Sequence, residues 1–183
     1  GESAGKIKTK DQMKHSAICN QFYVYSGAEN MVNMMKYICS QVLHEEMDYQ
    51  EPIFIPWEGI FHPDSKEIFQ STKDYFAWKE PSGKGTIALL VSRTAWLSGD
   101  IEVERALIKH IEKNGYTALP IFSYAMADID LGAKGTAYAI ETFCFDGYGQ
   151  PIVDGVIRMT GFFLQDTDEY ANTSESSVMS RLN

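Results

Sequence analysis

The chain has 183 residues, 44% of them hydrophobic and 13% aromatic, enough for one domain of ordinary size or one domain plus an appended segment. Acidic residues outnumber basic ones by 25 to 16, and the net charge of −9 disfavours nucleic acid as a partner, because its phosphates would be repelled. No apolar run reaches membrane-spanning length, and Cys19, Cys39 and Cys144, without a C-x-x-C motif, predict buried thiols in the reducing cytoplasm rather than disulfides or a zinc ribbon.

The N-terminal region is expected to be helical and extended. Clustered lysines predict a disordered basic end over residues 1–14, and "AICNQFYVY" (17–25) predicts a strand or extended segment. A helix is predicted over 26–46, because Ser26 and Glu29 form a capping-box pattern and apolar residues recur at helical spacing. The residues expected on its inner face are Val32, Met35, Ile38, Cys39, Val42 and Leu43.

The segment "PWEGIFHPD" (56–64) combines two prolines and a glycine with aromatic, acidic and histidine side chains. Proline biases the preceding residue towards extended backbone, so the segment is predicted to be a rigid connector. After it, "STKDYFAW" (71–78) has the Ser-x-x-acid pattern of a helix start, and "KEPSGKG" (79–85) is typical of a linker. We therefore expect residues 15–85 to form an N-terminal helical and extended segment that leads into a sheet.

From residue 86 onwards the pattern is that of alternating strands and helices. Strands are predicted at 86–92, 116–124 and 151–160, and helices at 101–115 and 135–145. The inner side of the first helix is expected to carry Val103, Ala106, Leu107 and Ile111. This order predicts an α/β fold, a three-layer flavodoxin-like or Rossmann-like βαβαβ unit over 86–164 with a parallel sheet, incomplete at its C-terminal end. Residues 165–183 are expected to be a polar tail at the boundary of a fragment of a longer protein.

Ligands of open parallel sheets bind outside the carboxyl ends of the strands. The first of these ends leads into "SRTAWLSGD" (92–100), which offers Arg93, Trp96 and Asp100. The alternative is that Arg93 pairs with a local carboxylate, Asp100 or Glu104. The sequence has no phosphate-binding G-x-x-x-x-G-K-[ST] motif, no G-x-G-x-x-G after the first strand, no G-x-S-x-G elbow and no H-E-x-x-H.

His62 is the histidine with the best surroundings for metal binding, because Glu58 and Asp64 lie close to it on non-helical backbone. Further ligands would have to come from elsewhere in the chain. The structural alternative is that Asp64 or Ser65 caps the next turn while His62 hydrogen-bonds a nearby carbonyl.

Six motifs in order carry a family resemblance: "YSGAEN", "GIFHPD", "STKDYFAW", "ALLVSRTAWLSGD", "ALIKHIEKNGYTALPIFSY" and "VDGVIRMTGFFL". Between residues 23 and 164 the chain resembles the large subunit of cobaltochelatase (CobN) and its relative in magnesium chelatase, the H subunit. The most specific pieces are the aromatic-HPD segment and the "VD-x-VI…TGF-x-L" strand. The resemblance implies an N-terminal fragment of a very large protein.

Family members insert a divalent metal into a tetrapyrrole with the help of AAA-type ATPase subunits. The resemblance therefore implies a tetrapyrrole substrate, cobalt or magnesium, ATP used by the partner subunits, and contact with the remaining domains of the large subunit. The fragment alone is expected to be inactive and to hold no tightly bound cofactor. The alternatives are a non-catalytic small-ligand module or a structural scaffold on a flavodoxin-like sheet.

A tetrapyrrole is a flat apolar disc with polar arms, which suggests a role for each candidate residue. Trp57, Phe61, Tyr75 or Trp96 would stack on the ring, and Arg93 would bind an anionic arm. His62 with Glu58 or Asp64 would deliver metal or accept ring protons. The alternative is that these aromatic residues pack between the N-terminal segment and the sheet.

Overall fold

In the computed structural model, which describes residues 9–160, the chain divides into two compact units between Ile55 and Pro56. The boundary therefore lies thirty residues before the one expected at 85/86, because Gly59 and Ile60 pair with the sheet and Tyr75 lies in its core. Residues 1–8, the predicted tail (165–183) and the last predicted residues of the βαβαβ unit (161–164) lie outside the described range. None of the helices within 9–160 has the length and hydropathy needed to span a membrane.

Unit 1 contains two helices, α1 (Lys10–Tyr25) and α2 (Ala28–Gln41), followed by extended chain. The strand predicted at 17–25 is wrong, because a Thr9–Gln12 capping box starts a helix that continues through these residues. The same box turns residues 10–14 of the predicted disordered end into the first turns of α1.

The inner face of α2 is polar, contrary to the sequence prediction. The buried residues are Asn30, Asn33 and Tyr37, whereas Val32 and Met35 are more than half exposed. The two asparagine side chains hold the extended chain alongside the helix: Asn30 bonds both the N–H and the C=O of Ile53, and Asn33 accepts the N–H of Gln50. The predicted Ser26 cap is also wrong, since Gly27 is the N-cap and its predecessor ends α1.

Unit 2 is an α/β sheet domain. Its elements are β1 (Gly59–Ile60), α3 (Thr72–Trp78), β2 (Thr86–Ser92), α4 (Arg93–Ser98), α5 (Glu102–Lys113), β3 (Thr117–Ser123), α6 (Gly135–Cys144) and β4 (Gly155–Arg158). Ser71 caps α3 by accepting the N–H of Asp74, as the sequence predicted. The segment 92–100, which follows the first predicted strand, contains the short helix α4.

The sheet has the order β1-β3-β2-β4, with β2 parallel to both β3 and β4. This confirms the predicted parallel βαβαβ unit, in which the connection from β3 to β4 crosses over β2. The segment predicted to be only a connector supplies an edge strand, because β1 pairs antiparallel with β3.

Helices cover both faces of the sheet, which confirms the three-layer α/β class. Alternate β2 residues enter opposite cores: Ala88 and Leu90 pack with α3 and α6, and Leu89 and Val91 pack with α4 and α5. The core face of α5 agrees with the prediction in part: Ile111 is buried and Leu107 packs against the core, but Val103 and Ala106 are exposed. Glu104 and Ile108, which were not predicted, are buried.

Candidate functional site

The carboxyl ends of β2 and β3 form the edge of the sheet where parallel α/β folds bind ligands. The segment 57–61 starts at this carboxyl end and runs back along β3, because β1 pairs antiparallel with β3, the Tyr124 N–H donates to the Trp57 carbonyl at 3.1 Å and the Phe61 N–H donates to the Pro120 carbonyl at 3.0 Å. From Trp57 to His62 every residue is buried. Trp57 and Glu58 therefore lie at the carboxyl end of β3, where Trp57 contacts Arg93, whereas His62 lies farther back along β3.

Glu58 closes the N-terminus of α6. Its Oε1 accepts the backbone N–H of Lys134 at 2.9 Å and that of Gly135 at 2.7 Å. Burial raises the pKa of the Glu58 carboxyl, against the opposing effects of these two hydrogen bonds and of the positive charges of Lys134 and Arg93. A carboxylate of the chain itself thus occupies the helix end where α/β folds commonly bind a ligand anion.

Arg93, the first residue of α4, directly follows the carboxyl end of β2 and is only 4% exposed. Its Nε donates to the Pro56 carbonyl at 2.9 Å, and its guanidinium lies 4.2 Å from the centre of the Trp57 ring. Burial lowers the pKa of Arg93 to about 10, although the nearby Glu58 and Tyr124 act in the opposite direction. Arg93, Trp57 and Glu58 therefore form one buried cation–aromatic–carboxylate cluster.

Neither carboxylate that the sequence offered as a partner holds Arg93. No ion pair joins it to Asp100 or Glu104 within residues 9–160. The guanidinium faces the 56–58 segment instead, a chain separation of more than thirty residues that local sequence spacing does not indicate.

The buried His62 side chain belongs to a second cluster, with Trp78 and Lys79 at the end of α3 and Glu112 of α5. Its Nδ1 accepts the Asp64 N–H at 3.1 Å, which leaves the proton on Nε2 to donate to Glu112 Oε1 at 3.0 Å. Glu112 also forms an ion pair with Lys79, and the Trp78 ring packs against the imidazole with 5.1 Å between centroids. His62 thus hydrogen-bonds a carboxylate, whereas the sequence predicted a backbone carbonyl as its partner.

The surroundings of His62 do not supply a ready metal site. Both ring nitrogens have partners, the Glu58 carboxylate caps α6, and the Asp64 side chain is 71% exposed with its oxygen 3.8 Å from Nδ1. Within residues 9–160 no group of three or more His, Cys, Asp and Glu side chains could hold a metal. A metal at His62 would have to displace Glu112 or the Asp64 amide.

The remaining aromatic candidates pack inside unit 2. Trp96 stacks on Phe122 with a centroid distance of 3.9 Å and an interplanar angle of 6°, and Phe61 is tilted against both rings. Tyr75 is fully buried and donates its hydroxyl to the Ala118 carbonyl at 2.7 Å. Of these four residues only Trp96 keeps a half-buried side chain.

The structure therefore gathers the candidates into three groups: Trp57, Glu58 and Arg93; Phe61 and Trp96; and His62 and Asp64. The residues that complete these groups were missed from the sequence, namely Lys79, Glu112, Tyr124, Lys134 and Gly135. Gly135 gave a usable signal, because a glycine at a helix start suits the positive φ of 82° found there.

Exposed groups at this edge come from the loop between β3 and α6. The Lys134 ammonium lies over the Tyr138 ring at 4.2 Å, and Ile129 is 97% exposed. The hydrogen bond from Lys134 is the largest cause that lowers the pKa of the Tyr138 hydroxyl, and a hydrogen bond with Thr142 is the second. A cation, a phenol and an apolar side chain thus remain available to a ligand or a neighbouring domain.

Similarity to known proteins indicates the family of the chain. The H subunit of a magnesium chelatase from Chlorobaculum parvum is 27% identical over 162 residues, 86% of this chain and 12% of that protein. An uncharacterized protein from Methanocaldococcus jannaschii is 27% identical over 158 residues, 84% of this chain and 12% of that protein. The chain thus spans about one eighth of the length of these relatives.

The fold has a counterpart in a solved structure, the catalytic subunit of cobaltochelatase from Mycobacterium tuberculosis. The TM-score is 0.51 at 18% identity, over 79% of this chain and 10% of that protein. The family model described as CobN/Magnesium Chelatase matches residues 20–183, most of the chain. The chain therefore belongs to the CobN/magnesium chelatase family.

Proposed function

We propose that this chain is a domain of the large, tetrapyrrole-binding subunit of an ATP-dependent metal chelatase. The observation that carries the proposal is the family match over residues 20–183, with relatives named as the H subunits of magnesium chelatases. The full-length protein would bind a corrinoid or porphyrin-type ring together with cobalt or magnesium, and would form nitrogen–metal bonds as a ligase. ATP would be hydrolysed by AAA-type partner subunits in the cytoplasm.

The reaction is a property of the whole protein in this proposal. The chain spans about one eighth of the matched relatives, so the remaining domains would supply the rest of the tetrapyrrole cleft. Within 9–160 the described carboxylates and histidines form no metal-binding group, which fits a domain that shapes the cleft while other domains hold the metal. The fragment by itself is expected to be inactive.

We propose that Trp57, Glu58, Phe61, His62, Asp64, Arg93 and Trp96 contribute to tetrapyrrole binding mainly by fixing one wall of that cleft. The internal partners of Glu58, Arg93 and His62 support this indirect role. Trp96 and Asp64, which keep exposed surface, are the members that retain a route to direct contact. His62 would reach a metal only after release from Glu112.

A titration of the full-length protein with porphyrin and corrinoid probes, followed by absorbance, tests both proposals. Binding in the micromolar range is expected, together with weaker binding in Arg93→Ala and His62→Ala because the wall loosens. His110→Ala is the matched control, since His110 is exposed on α5. If the variants left the affinity unchanged, the residue assignment would be wrong while the chelatase proposal could stand. If no tetrapyrrole bound, the chelatase proposal itself would be wrong.

A structural scaffold is the second candidate. It is favoured by one observation: most of the candidate residues use their polar groups within the domain, and Glu58 already fills the N-terminus of α6. The same observation weighs against a small-anion module at that helix. A scaffold predicts that the Glu58, His62 and Arg93 variants change stability without changing ring affinity in the full-length protein.

A further inference from the structure

Helix α2 exposes an apolar seam made of Val32, Met35, Cys39 and its C-cap residue Val42. Val32, Met35 and Val42 are 54%, 59% and 45% exposed, and Cys39 is half-buried. Their spacings of three, four and three residues are those of the a and d positions of a coiled coil. The seam therefore has the geometry that a second helix packs against.

This seam is separate from the side of α2 that holds unit 1 together. That inner side consists of Asn30, Asn33 and Tyr37, with the asparagines hydrogen-bonded to the backbone of residues 50 and 53. A point substitution on the seam therefore removes none of these bonds. The fold of unit 1 therefore does not use the apolar surface of the seam.

A cleft of about 440 Å³ opens beside the seam at Val32. Its lining includes Glu29, Val32, Lys36, Asp48 and Tyr49. Across the described range, neither the Glu29 nor the Asp48 carboxylate forms an ion pair or a side-chain hydrogen bond, and neither pairs with Lys36. Glu29 and Asp48 outnumber Lys36, the one cationic group among the described residues of this lining, and they lie in the same cleft as the Tyr49 ring, which favours a further cationic side chain.

The chain that follows α2 extends the same character. Residues 44–51 carry Glu45, Glu46, Asp48 and Glu51 and no lysine or arginine, while Leu43 is 60% exposed and Met47 40%. An anionic membrane would be repelled by this rim, since membrane-surface helices carry basic residues beside their apolar face. A protein segment with both apolar and basic residues matches the apolar seam and the acidic residues of 44–51 beside it.

We propose that the α2 seam and its adjoining cleft dock a positively charged amphipathic helix of a partner protein. The apolar residues of that helix would pack between Val32, Met35 and Val42. A lysine or arginine would enter the cleft between Glu29 and Asp48. This surface lies in unit 1 and is independent of the residues invoked for tetrapyrrole binding.

The test uses the full 183-residue chain and two fluorescently labelled peptides of about 18 residues, or five helical turns. Both carry leucine at a and d positions, and the flanking residues are lysine in one and glutamate in the other. Anisotropy should show binding of the lysine peptide only. Val32→Asp with Met35→Asp should weaken binding at least about tenfold. Glu29→Gln with Asp48→Asn should weaken it about threefold and reduce its salt dependence.

Ile129→Asp is the matched control, because Ile129 is an exposed apolar residue of the β3–α6 loop, and it should bind like the unaltered protein. Circular dichroism confirms that each variant is folded. Three results would overturn the proposal: equal affinity for both peptides, unchanged affinity in Val32→Asp with Met35→Asp, or no binding. Sedimentation that shows self-association abolished by Met35→Asp would assign the face to a second copy instead, and binding to anionic vesicles would assign it to a membrane.

Discussion

Glu58 and Gly135 are 77 residues apart in the chain and joined by a 2.7 Å hydrogen bond from the Gly135 N–H to the Glu58 carboxylate. This bond joins residues 56–62, the segment that contains the edge strand β1, to the start of α6. Glu58, one of the two acidic residues of the "PWEGIFHPD" segment, therefore has a structural partner. The carboxylate is nevertheless destabilised by burial, as the raised pKa shows.

Replacing Glu58 separates its two effects. Glu58→Ala leaves the Lys134 and Gly135 N–H groups without an acceptor and should lower the free energy of unfolding by about 1–3 kcal/mol. Glu58→Gln keeps an acceptor oxygen without the buried charge and should cost much less. Urea denaturation measures both, with the exposed Asp64→Ala as control. Equal losses in the Ala and Gln variants would contradict this account.

The raised pKa of Glu58 also fixes the sign of a pH dependence. Protonation of Glu58 is easier in the folded than in the unfolded chain, where the ordinary value is 4.5. Its contribution relative to Glu58→Gln is therefore most favourable below about pH 4.5 and is lost as pH rises through the folded-state pKa. Denaturation of both proteins across this range should show the difference narrowing or reversing towards neutral pH. A difference that grew with pH would contradict the burial argument.

The second prediction concerns His62, which links the edge segment to Glu112 of α5 at 3.0 Å. His62→Ala leaves Glu112 and the Asp64 amide short of a partner and should cost about 1–3 kcal/mol. His110→Ala should have no effect, because that side chain is exposed on the same helix.

The same pair of variants tests metal binding by thermal unfolding with added Co²⁺ or Mg²⁺. The hydrogen bonds to both nitrogens of His62 predict no rise of Tm in the isolated chain. A rise that His62→Ala abolished and His110→Ala kept would show that His62 is a ligand.

The third prediction concerns Gly85, which enters β2 with a φ of +127°. A Cβ there would lie 2.5 Å from Asp154 Oδ2, the atom that accepts the Thr86 N–H at 2.7 Å. Gly85→Ala should therefore strain the backbone and disturb the pairing of β2 with β4, at a cost of about 2 kcal/mol or more. Gly83→Ala is the control, because nothing lies within 4 Å of its Cβ. Equal Tm values for the two variants would refute the prediction.

The fourth prediction concerns the stacking of Arg93 on Trp57. Arg93→Lys keeps the charge but loses the planar guanidinium 4.2 Å from the indole, so it should cost about 1–2 kcal/mol, and Arg93→Ala more. Arg105→Lys serves as a control, since within residues 9–160 Arg105 stacks on no aromatic ring and pairs only with the exposed Glu102 at 3.6 Å. Chemical denaturation followed by tryptophan fluorescence measures all three. A lysine variant as stable as the unaltered chain would rule out a specific role for the guanidinium plane.

The sheet unit was predictable because its signals are local. Residues 86–92 and 117–123 are continuous apolar runs, and their burial in parallel strands follows from composition and order. The capped helix α3 and the helix α6 were likewise visible in the sequence. The two-residue strand β1 was not, because its pairing with β3 depends on residues about sixty positions away.

The N-terminal helices show why the other predictions failed. Helical spacing of Val32 and Met35 indicated a core face, but buried asparagines that bond the backbone of 50–53 hold α2 by its opposite side. Likewise, the types of Glu58, His62 and Arg93 indicated chemistry, while their partners Gly135, Glu112 and Trp57 depend on the assembled fold. Side-chain type identified the important positions, and tertiary contacts determine what they do.

An assay of metal insertion tests most directly the proposal that this chain is part of a chelatase large subunit. The full-length protein is incubated with its AAA-type ATPase partners, ATP, a corrinoid or porphyrin, and cobalt or magnesium, and the absorbance of the metallated ring is followed. We expect ATP-dependent metallation that requires the full-length protein and that the isolated 183-residue chain does not support. Failure of the full-length protein to metallate either ring class with either metal, with active partners present, would contradict the proposal.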